Sequence, residues 1–161
     1  MNARLLALTG TLVGLLCGLA GCKDSHEHEH DHAKPEGHVH TAPHGGTLVE
    51  LGEHAFNIEF TRDVGKGLVT AYLLDAHAEN FVRLTQPSLG IQIHVNGKPE
   101  SFTLAAVAND RTGEKVGDTS QFEAQSEAFK VTSELKGIVP SLELRGSKFE
   151  SIPFVLPAIG K

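Results

Sequence analysis

Residues 91–108 read IQIHVNGKPESFTLAAVA, and this stretch carries the clearest β-hairpin signal in the chain. Apolar and polar residues alternate from Ile91 to Val95, Asn96-Gly97 follows, and the run 102–108 returns. Alternation with a period of two buries one face of a strand, and Asn-Gly strongly favours a two-residue hairpin turn. We therefore predict two antiparallel strands joined at Asn96-Gly97, with His94 on the exposed face.

Short runs of the same kind occur on both sides of this hairpin. Leu68 to Leu74 is apolar on both faces and is predicted to be central, whereas Pro153 marks the last strand as an edge. The other candidates are Thr47 to Leu51, Ala55 to Thr61, one or two strands within Gln121 to Val131, and a last hairpin with strands Leu142 to Arg145 and Phe149 to Leu156 around Gly146-Ser147.

Residues 44–161 show no sustained 3.6-residue period, so they favour an all-β fold. Roughly 115 residues suffice for one domain with its own core. The absence of Trp and of a cysteine pair removes the hallmarks of a true immunoglobulin domain. We predict a single immunoglobulin-like β-sandwich.

The N-terminus has the features of an export signal. Met1 to Arg4 is short and basic, and Leu5 to Leu19 is apolar but, at about fifteen residues, too short for a membrane span of about twenty. Leu19-Ala20-Gly21-Cys22 closes it and resembles the lipobox of bacterial lipoproteins. The resemblance implies that residues 1–21 are removed and that Cys22 carries lipid.

A histidine-rich tract follows, and residues 26–32 read HEHEHDH. Imidazoles are good ligands for Zn, Cu(II) and Ni, and carboxylates can complete a coordination shell. In an extended chain, alternate residues lie about 6–7 Å apart on one side and could share an ion. Residues 22–43 are too polar to form a core, so we expect a disordered tether. Its candidate metal ligands are His26, His28, His30, His32, His38 and His40.

Three further histidines, His44, His54 and His77, are candidate ligands of the folded part. A hairpin around Gly52-Glu53 would place His44 and His54 at opposite ends. If residues 43–46 instead fold back over the sheet, the two histidines could meet. Glu59 is a further possible member of such a site. The alternative is that all of these residues are solvent-exposed polar side chains at strand ends.

Residues 43–54, PHGGTLVELGEH, together with Glu59 and residues 71–75, AYLLD, resemble a loose group of exported bacterial proteins. Similar segments occur beside heavy-metal efflux adaptor proteins. The resemblance implies metal handling in the cell envelope, with His44 and His54 as the matching positions. The chain lacks the long helical hairpin and lipoyl-like segments of an adaptor, so the adaptor role is not carried over.

Composition narrows the functional classes. The net charge of −6 argues against nucleic acid, whose phosphates require a basic surface. The chain has no Gly-x-Ser-x-Gly motif and no phosphate-binding glycine loop, so we expect no enzyme activity. A single methionine disfavours a methionine-rich Cu(I) carrier.

The sequence therefore predicts a lipid-anchored, periplasm-facing envelope protein that binds or buffers Zn, Cu(II) or Ni and passes it to an efflux or uptake transporter. Lys23 stands where lipoproteins retained at the inner membrane carry Asp, which favours the outer membrane. The alternative hypothesis is a non-catalytic interaction or structural domain whose histidine-rich segment is only a spacer.

Overall fold

Eight strands form one antiparallel sheet in the computed structural model, which describes residues 40–157. Within this range the only helical piece is a 3-10 turn at Glu127–Lys130, and no helix is long and apolar enough to cross a membrane. The strands are β1 Thr47–Leu51, β2 Phe56–Asp63, β3 Leu68–Asp75, β4 Ser88–Val95, β5 Lys98–Ala106, β6 Gln121–Gln125, β7 Leu135–Leu144 and β8 Ser147–Leu156.

The order of strands across the sheet is β1-β2-β3-β6-β5-β4-β7-β8, and the two edge strands, β1 and β8, approach each other. The sheet thus curls around its apolar face into a nearly closed, sandwich-like domain. Phe60 of β2 stacks on Phe154 of β8 with ring centroids 4.2 Å apart, which joins the two ends of the sheet across the core. The predicted all-β, sandwich-like fold is confirmed. The predicted signal peptide and nearly all of the predicted tether lie outside the described residues.

The central hairpin turns at Asn96-Gly97 as predicted. Asn96 has φ 50° and Gly97 has φ 78°, the pair of positive angles that a two-residue type I′ turn requires. The predicted start of the returning strand at Phe102 is wrong, because β5 begins at Lys98. A two-residue turn leaves no loop, so pairing resumes at once, and the polar residues 98–101 form an exposed part of the strand.

The last hairpin is longer than predicted. Its first strand, β7, begins at Leu135 rather than Leu142, and its turn is Arg145-Gly146 rather than Gly146-Ser147. Gly137 and Pro140 interrupt the apolar pattern and concealed the strand. Gly137 is nevertheless required there, because a Cβ would lie 2.6 Å from the ring of Phe154. β8 pairs only with β7, so the edge position predicted from Pro153 is confirmed.

A buried arginine ties β2 to the C-terminal half of the described chain. Arg62 is 6% exposed, and its guanidinium donates hydrogen bonds only to carbonyl oxygens. Its Nε lies 2.9 Å from Phe129 O, its Nη1 lies 3.0 Å from Ser133 O and 3.3 Å from Pro157 O, and its Nη2 donates to Val131 O. Burial lowers the pKa of Arg62. This one side chain therefore holds the irregular segment before β7 against the sheet.

β2 is buried on both faces, which its alternating sequence did not predict. Ile58 and Phe60 enter the core, as expected. Asn57 and Glu59 point to the opposite face, yet they are only 1% and 0% exposed. Part of that face is covered by residues 40–46, which fold back over the sheet before β1 begins. The candidate functional site lies at this cover.

Candidate metal-binding site at His44 and Glu59

The centre of the site is the buried carboxylate of Glu59. In the sheet Glu59 lies opposite Leu48 of β1 and Tyr72 of β3. Its Oε1 accepts the backbone N–H of His44 at 2.8 Å and that of Gly46 at 2.9 Å, and its Oε2 lies 2.8 Å from His44 Nδ1. A buried carboxylate is very unfavourable without such partners. The segment before β1 therefore serves to enclose this acid.

The two glycines after His44 explain how the chain encloses the acid. Gly45 has φ +71°, a conformation that L side chains rarely adopt. A Cβ on Gly46 would lie 2.3 Å from Phe60 O, so only glycine lets the backbone approach β2 this closely. The His-Gly-Gly motif is therefore a structural clamp on Glu59 as well as a turn.

The ring of His44 is held on two sides. It stacks on Tyr72 with centroids 3.8 Å apart and planes 11° apart, and its centroid lies 5.9 Å from that of Phe81. An ionised Glu59 carboxylate can only accept, so Nδ1 carries the ring proton, and in the neutral imidazole Nε2 then keeps its lone pair. The His44 side chain is 33% exposed. The arrangement fixes the tautomer of a partly exposed imidazole and makes Nε2 its free donor atom.

The His44 ring lies in a region of negative electrostatic potential. Burial raises the pKa of Tyr72, and the charges of Glu123 and Glu59 raise it further, against a smaller opposing effect of a hydrogen bond with Thr70. Glu123 Oε1 also accepts hydrogen bonds from Gln121 Nε2 at 2.8 Å and from Thr70 Oγ1 at 3.2 Å. Two carboxylates beside the same phenol give this face a negative potential that attracts cations.

His54 lies apart from this cluster. The hairpin around Gly52-Glu53 is formed, with Leu51 opposite Phe56, and His54 sits in its exposed loop with Nδ1 3.0 Å from Glu50 Oε2. Residues 43–46 do fold back over the sheet, but they bring His44 to Glu59 and leave His54 with a different acid. The predicted hairpin around Gly52-Glu53, which keeps His54 away from His44, is therefore confirmed.

The third predicted histidine of the folded part, His77, lies in the turn after β3. Its ring centroid is 5.7 Å from that of His40, the one tract histidine within the described range. His94 is exposed on β4, as predicted.

Between residues 40 and 157, no group of three or more His, Cys, Asp or Glu side chains is already assembled to hold a metal ion. Cys22, His26, His28, His30, His32 and His38 lie outside the described residues.

Sequence reasoning missed two members of the site. Tyr72 was noted only within the resembling segment 71–75, and Phe81 was not noted at all. The signal for Tyr72 was its place in an otherwise aliphatic central strand. Phe81 is 45% exposed and reaches the site only because the chain returns along β3, where Leu74 pairs with Phe81.

Comparisons with protein-family models, with curated proteins and with solved structures gave no match. The resemblance of residues 43–54 to exported proteins of heavy-metal systems therefore stays a prediction. The functional argument rests on the residues of this chain and on their geometry.

Proposed function

We propose that this protein is a lipid-anchored envelope protein that binds or buffers a divalent transition metal, Zn(II), Cu(II) or Ni(II), and presents it to a transporter. The observation that carries the proposal is the pairing of His44 with the buried Glu59. Histidines that ligate metals almost always donate their other ring N–H to a carboxylate, a carbonyl or water, which fixes the tautomer and raises the basicity of the ligating nitrogen. His44 has this arrangement, with Nδ1 2.8 Å from Glu59 Oε2.

The histidine-rich tract supports the same proposal. It supplies many equivalent imidazoles immediately before the folded domain. Its composition predicts a segment without a core, which the bound ion would have to order, so each tract site should be weak and should lack one fixed geometry. Several weak sites next to one oriented ligand suit a protein that gathers ions and releases them readily.

The anchoring part of the proposal rests on residues 19–22, LAGC. Several acyl chains on Cys22 would hold the protein firmly, since each buried methylene contributes about 0.8 kcal/mol. Mass spectrometry of membrane-extracted protein should find residues 1–21 absent and Cys22 lipidated. An unmodified Cys22 on a soluble product would contradict this part alone.

The metal-binding part can be tested with the chain's own fluorophore. Tyr72 is the only tyrosine, the chain has no Trp, and Tyr72 stacks on His44. Cu(II) bound at His44 should therefore quench the fluorescence of Tyr72. Replacing His44 by Gln should weaken the apparent affinity of the quenching ion by at least about tenfold, because even residues that only hydrogen-bond to a metal ligand change metal affinity by about 10–100-fold. His94→Gln, an exposed histidine on β4, is the matched control.

Calorimetry measures the contribution of the tract. Gln in place of His26, His28, His30 and His32 preserves polarity and length but removes ligands, so it should lower the number of Zn(II) ions bound. Binding should fade as the pH falls through about 6.5, since it requires neutral imidazole. Failure of the unaltered protein to take up Zn(II), Ni(II) or Cu(II) at concentrations up to about a millimolar would overturn the proposal.

A second candidate function, docking of an extended peptide, is favoured by one observation. A groove of about 460 Å³ lies between the unpaired edges of β1 and β8, lined by residues 47–49, 136–137 and 153–155. Extended peptides can add to such sheet edges through their main chain. This function corresponds to the alternative hypothesis of a non-catalytic interaction domain. It would replace metal binding as the favoured function if the protein binds no metal.

A further inference from the structure

Two histidines far apart in the sequence meet where the chain enters the domain. His40 is the last histidine of the histidine-rich tract, and His77 lies in the turn after β3. Their ring centroids are 5.7 Å apart with planes at 67°. The His40 ring is half-buried and His77 is exposed, so solvent and ions can reach the pair.

The separation of the two rings matches that of two imidazoles on one ion. With a Zn–N distance of about 2.0–2.1 Å, the centroid of a ligating ring lies about 3.2 Å from the metal. At a tetrahedral angle, two such centroids are then about 5.2 Å apart. The observed distance of 5.7 Å exceeds this by about half an ångström.

The nitrogens of these rings are also available. Among the hydrogen bonds and ion pairs within residues 40–157, the ring nitrogens of His44 and His54 are engaged with carboxylates, whereas those of His40 and His77 take no part. A neutral imidazole without a competing partner keeps a lone pair for a metal. The pair thus offers two donors that no contact within residues 40–157 uses.

Hydrogen bonds with Asp75 hold the turn that contains His77. The Oδ1 atom of Asp75 accepts the backbone N–H of Glu79 at 2.9 Å and that of Asn80 at 3.2 Å, and its Oδ2 accepts the side-chain amide of Asn80 at 2.7 Å. The backbone N–H of Asp75 donates to Asn80 O at 2.9 Å. His77 is therefore presented by a rigid turn, and a rigid support is what a precise site requires.

We propose that His40 and His77 are two ligands of one divalent transition ion, with water or further donors completing the shell. The proposal rests on the proposed metal-binding function and adds a defined site to it, distinct from the other tract histidines and from His44. Since His40 belongs to the segment that precedes β1 and His77 to the sheet's own turn, the ion would fasten the chain entering the domain onto the sheet. The fraction of protein with an ion at this site would then rise with the concentration of metal ion available to the domain.

The test uses the full chain with the tract ligands removed. In this background variant His26, His28, His30, His32 and His38 are all replaced by Gln. Zn(II) affinity is measured by calorimetry, and Co(II) absorption reports the coordination geometry. His77→Gln is then compared with His94→Gln, an exposed histidine of β4. We expect the background variant to retain binding, His77→Gln to weaken it by at least about tenfold, and His94→Gln to leave it unchanged.

A double-mutant cycle shows whether the two histidines act on the same ion. His40→Gln should weaken Zn(II) binding as His77→Gln does. The double variant should lose much less than the product of the two single effects, because a shared site is lost only once. Tyr72 fluorescence without metal confirms that each variant keeps its fold.

The outcomes distinguish failure of the His40–His77 site from failure of the proposed metal-binding function. If the unaltered protein binds Zn(II) but the background variant binds as tightly with His77→Gln as without it, the paired site is overturned and the metal-binding function stands. The same holds if the background variant binds no Zn(II). If the unaltered protein binds none, both proposals fail.

Discussion

The imidazole of His44 stacks on the phenol of Tyr72, with ring centroids 3.8 Å apart and planes 11° apart. His44 comes from the segment before β1 and Tyr72 from β3, an interior strand of the sheet. An interior strand of the sheet therefore sets the orientation of the ring. It also places the only tyrosine of the chain where it senses any change at His44.

The first prediction concerns the ionisation of Tyr72. Burial and the charges of Glu123 and Glu59 raise its pKa above the ordinary value of about 10. Absorbance titration of this single phenol should give a midpoint above that of the unfolded chain. Because the folded-state pKa is the higher one, this contribution to stability is complete below about pH 10 and is lost as the pH rises through the folded pKa.

Glu123→Gln provides the control for this titration. It should move the Tyr72 midpoint toward the ordinary value, since it removes a charge and keeps an amide of similar shape. A Tyr72 midpoint at or below that of the denatured protein would contradict the described burial of the ring.

The second prediction tests Glu59 as a positioning residue for His44. In Glu59→Gln the carbonyl oxygen can still accept the two backbone N–H groups, but the amide NH₂ then faces His44 Nδ1. Nδ1 must become the acceptor, which moves the ring proton to Nε2. Metal affinity reported by Tyr72 fluorescence should fall about 10–100-fold, while the free energy of unfolding should fall by only about 1 kcal/mol.

Nitrogen chemical shifts of the His44 ring should show the tautomer change directly. Glu50→Gln is the matched control, because Glu50 holds the exposed His54 in the same way. Unchanged metal affinity in Glu59→Gln, despite a protonated Nε2, would show that His44 is no ligand.

The third prediction concerns the glycines of the clamp. Gly46→Ala should lower the free energy of unfolding by about 1–3 kcal/mol, since its Cβ would meet Phe60 O at 2.3 Å. Gly45→Ala should cost about 1–2 kcal/mol for a different reason, its φ of +71°. Gly90→Ala, with nothing within 4 Å, should stay within about 0.5 kcal/mol of the parent protein in urea unfolding. Equal stability of all three variants would refute the clamp.

The fourth prediction concerns Arg62. Replacing it by Met leaves up to four carbonyl oxygens without their donor, including those of Phe129 and Ser133. Hydrogen bonds to charged groups contribute about 1.5–3 kcal/mol each, so the free energy of unfolding should fall by on the order of 3 kcal/mol. Arg145→Met, at the exposed turn between β7 and β8, should change it little. Comparable urea midpoints for the two variants would mean that solvent replaces these contacts at no cost.

Local pattern was sufficient to predict much of the fold. Alternation and Asn96-Gly97 located the central hairpin, because pleat periodicity and positive φ angles are properties of a few adjacent residues. Strand β7 was underestimated at Gly137, since the benefit of a glycine there comes from the ring of Phe154 on the neighbouring strand. A pattern of adjacent residues carries no information about the position of that ring.

The sequence by itself determined the alternating strands, the turns between them and the supply of imidazoles, all of which depend on neighbouring residues. Only the tertiary structure decided that Glu59 is buried, that His44 covers it while His54 does not, and that His40 meets His77. These pairings join residues 15 to 37 positions apart through sheet register and a folded-back segment. The packing of whole strands sets such distances, because it decides which face is covered and which polar groups must find partners there.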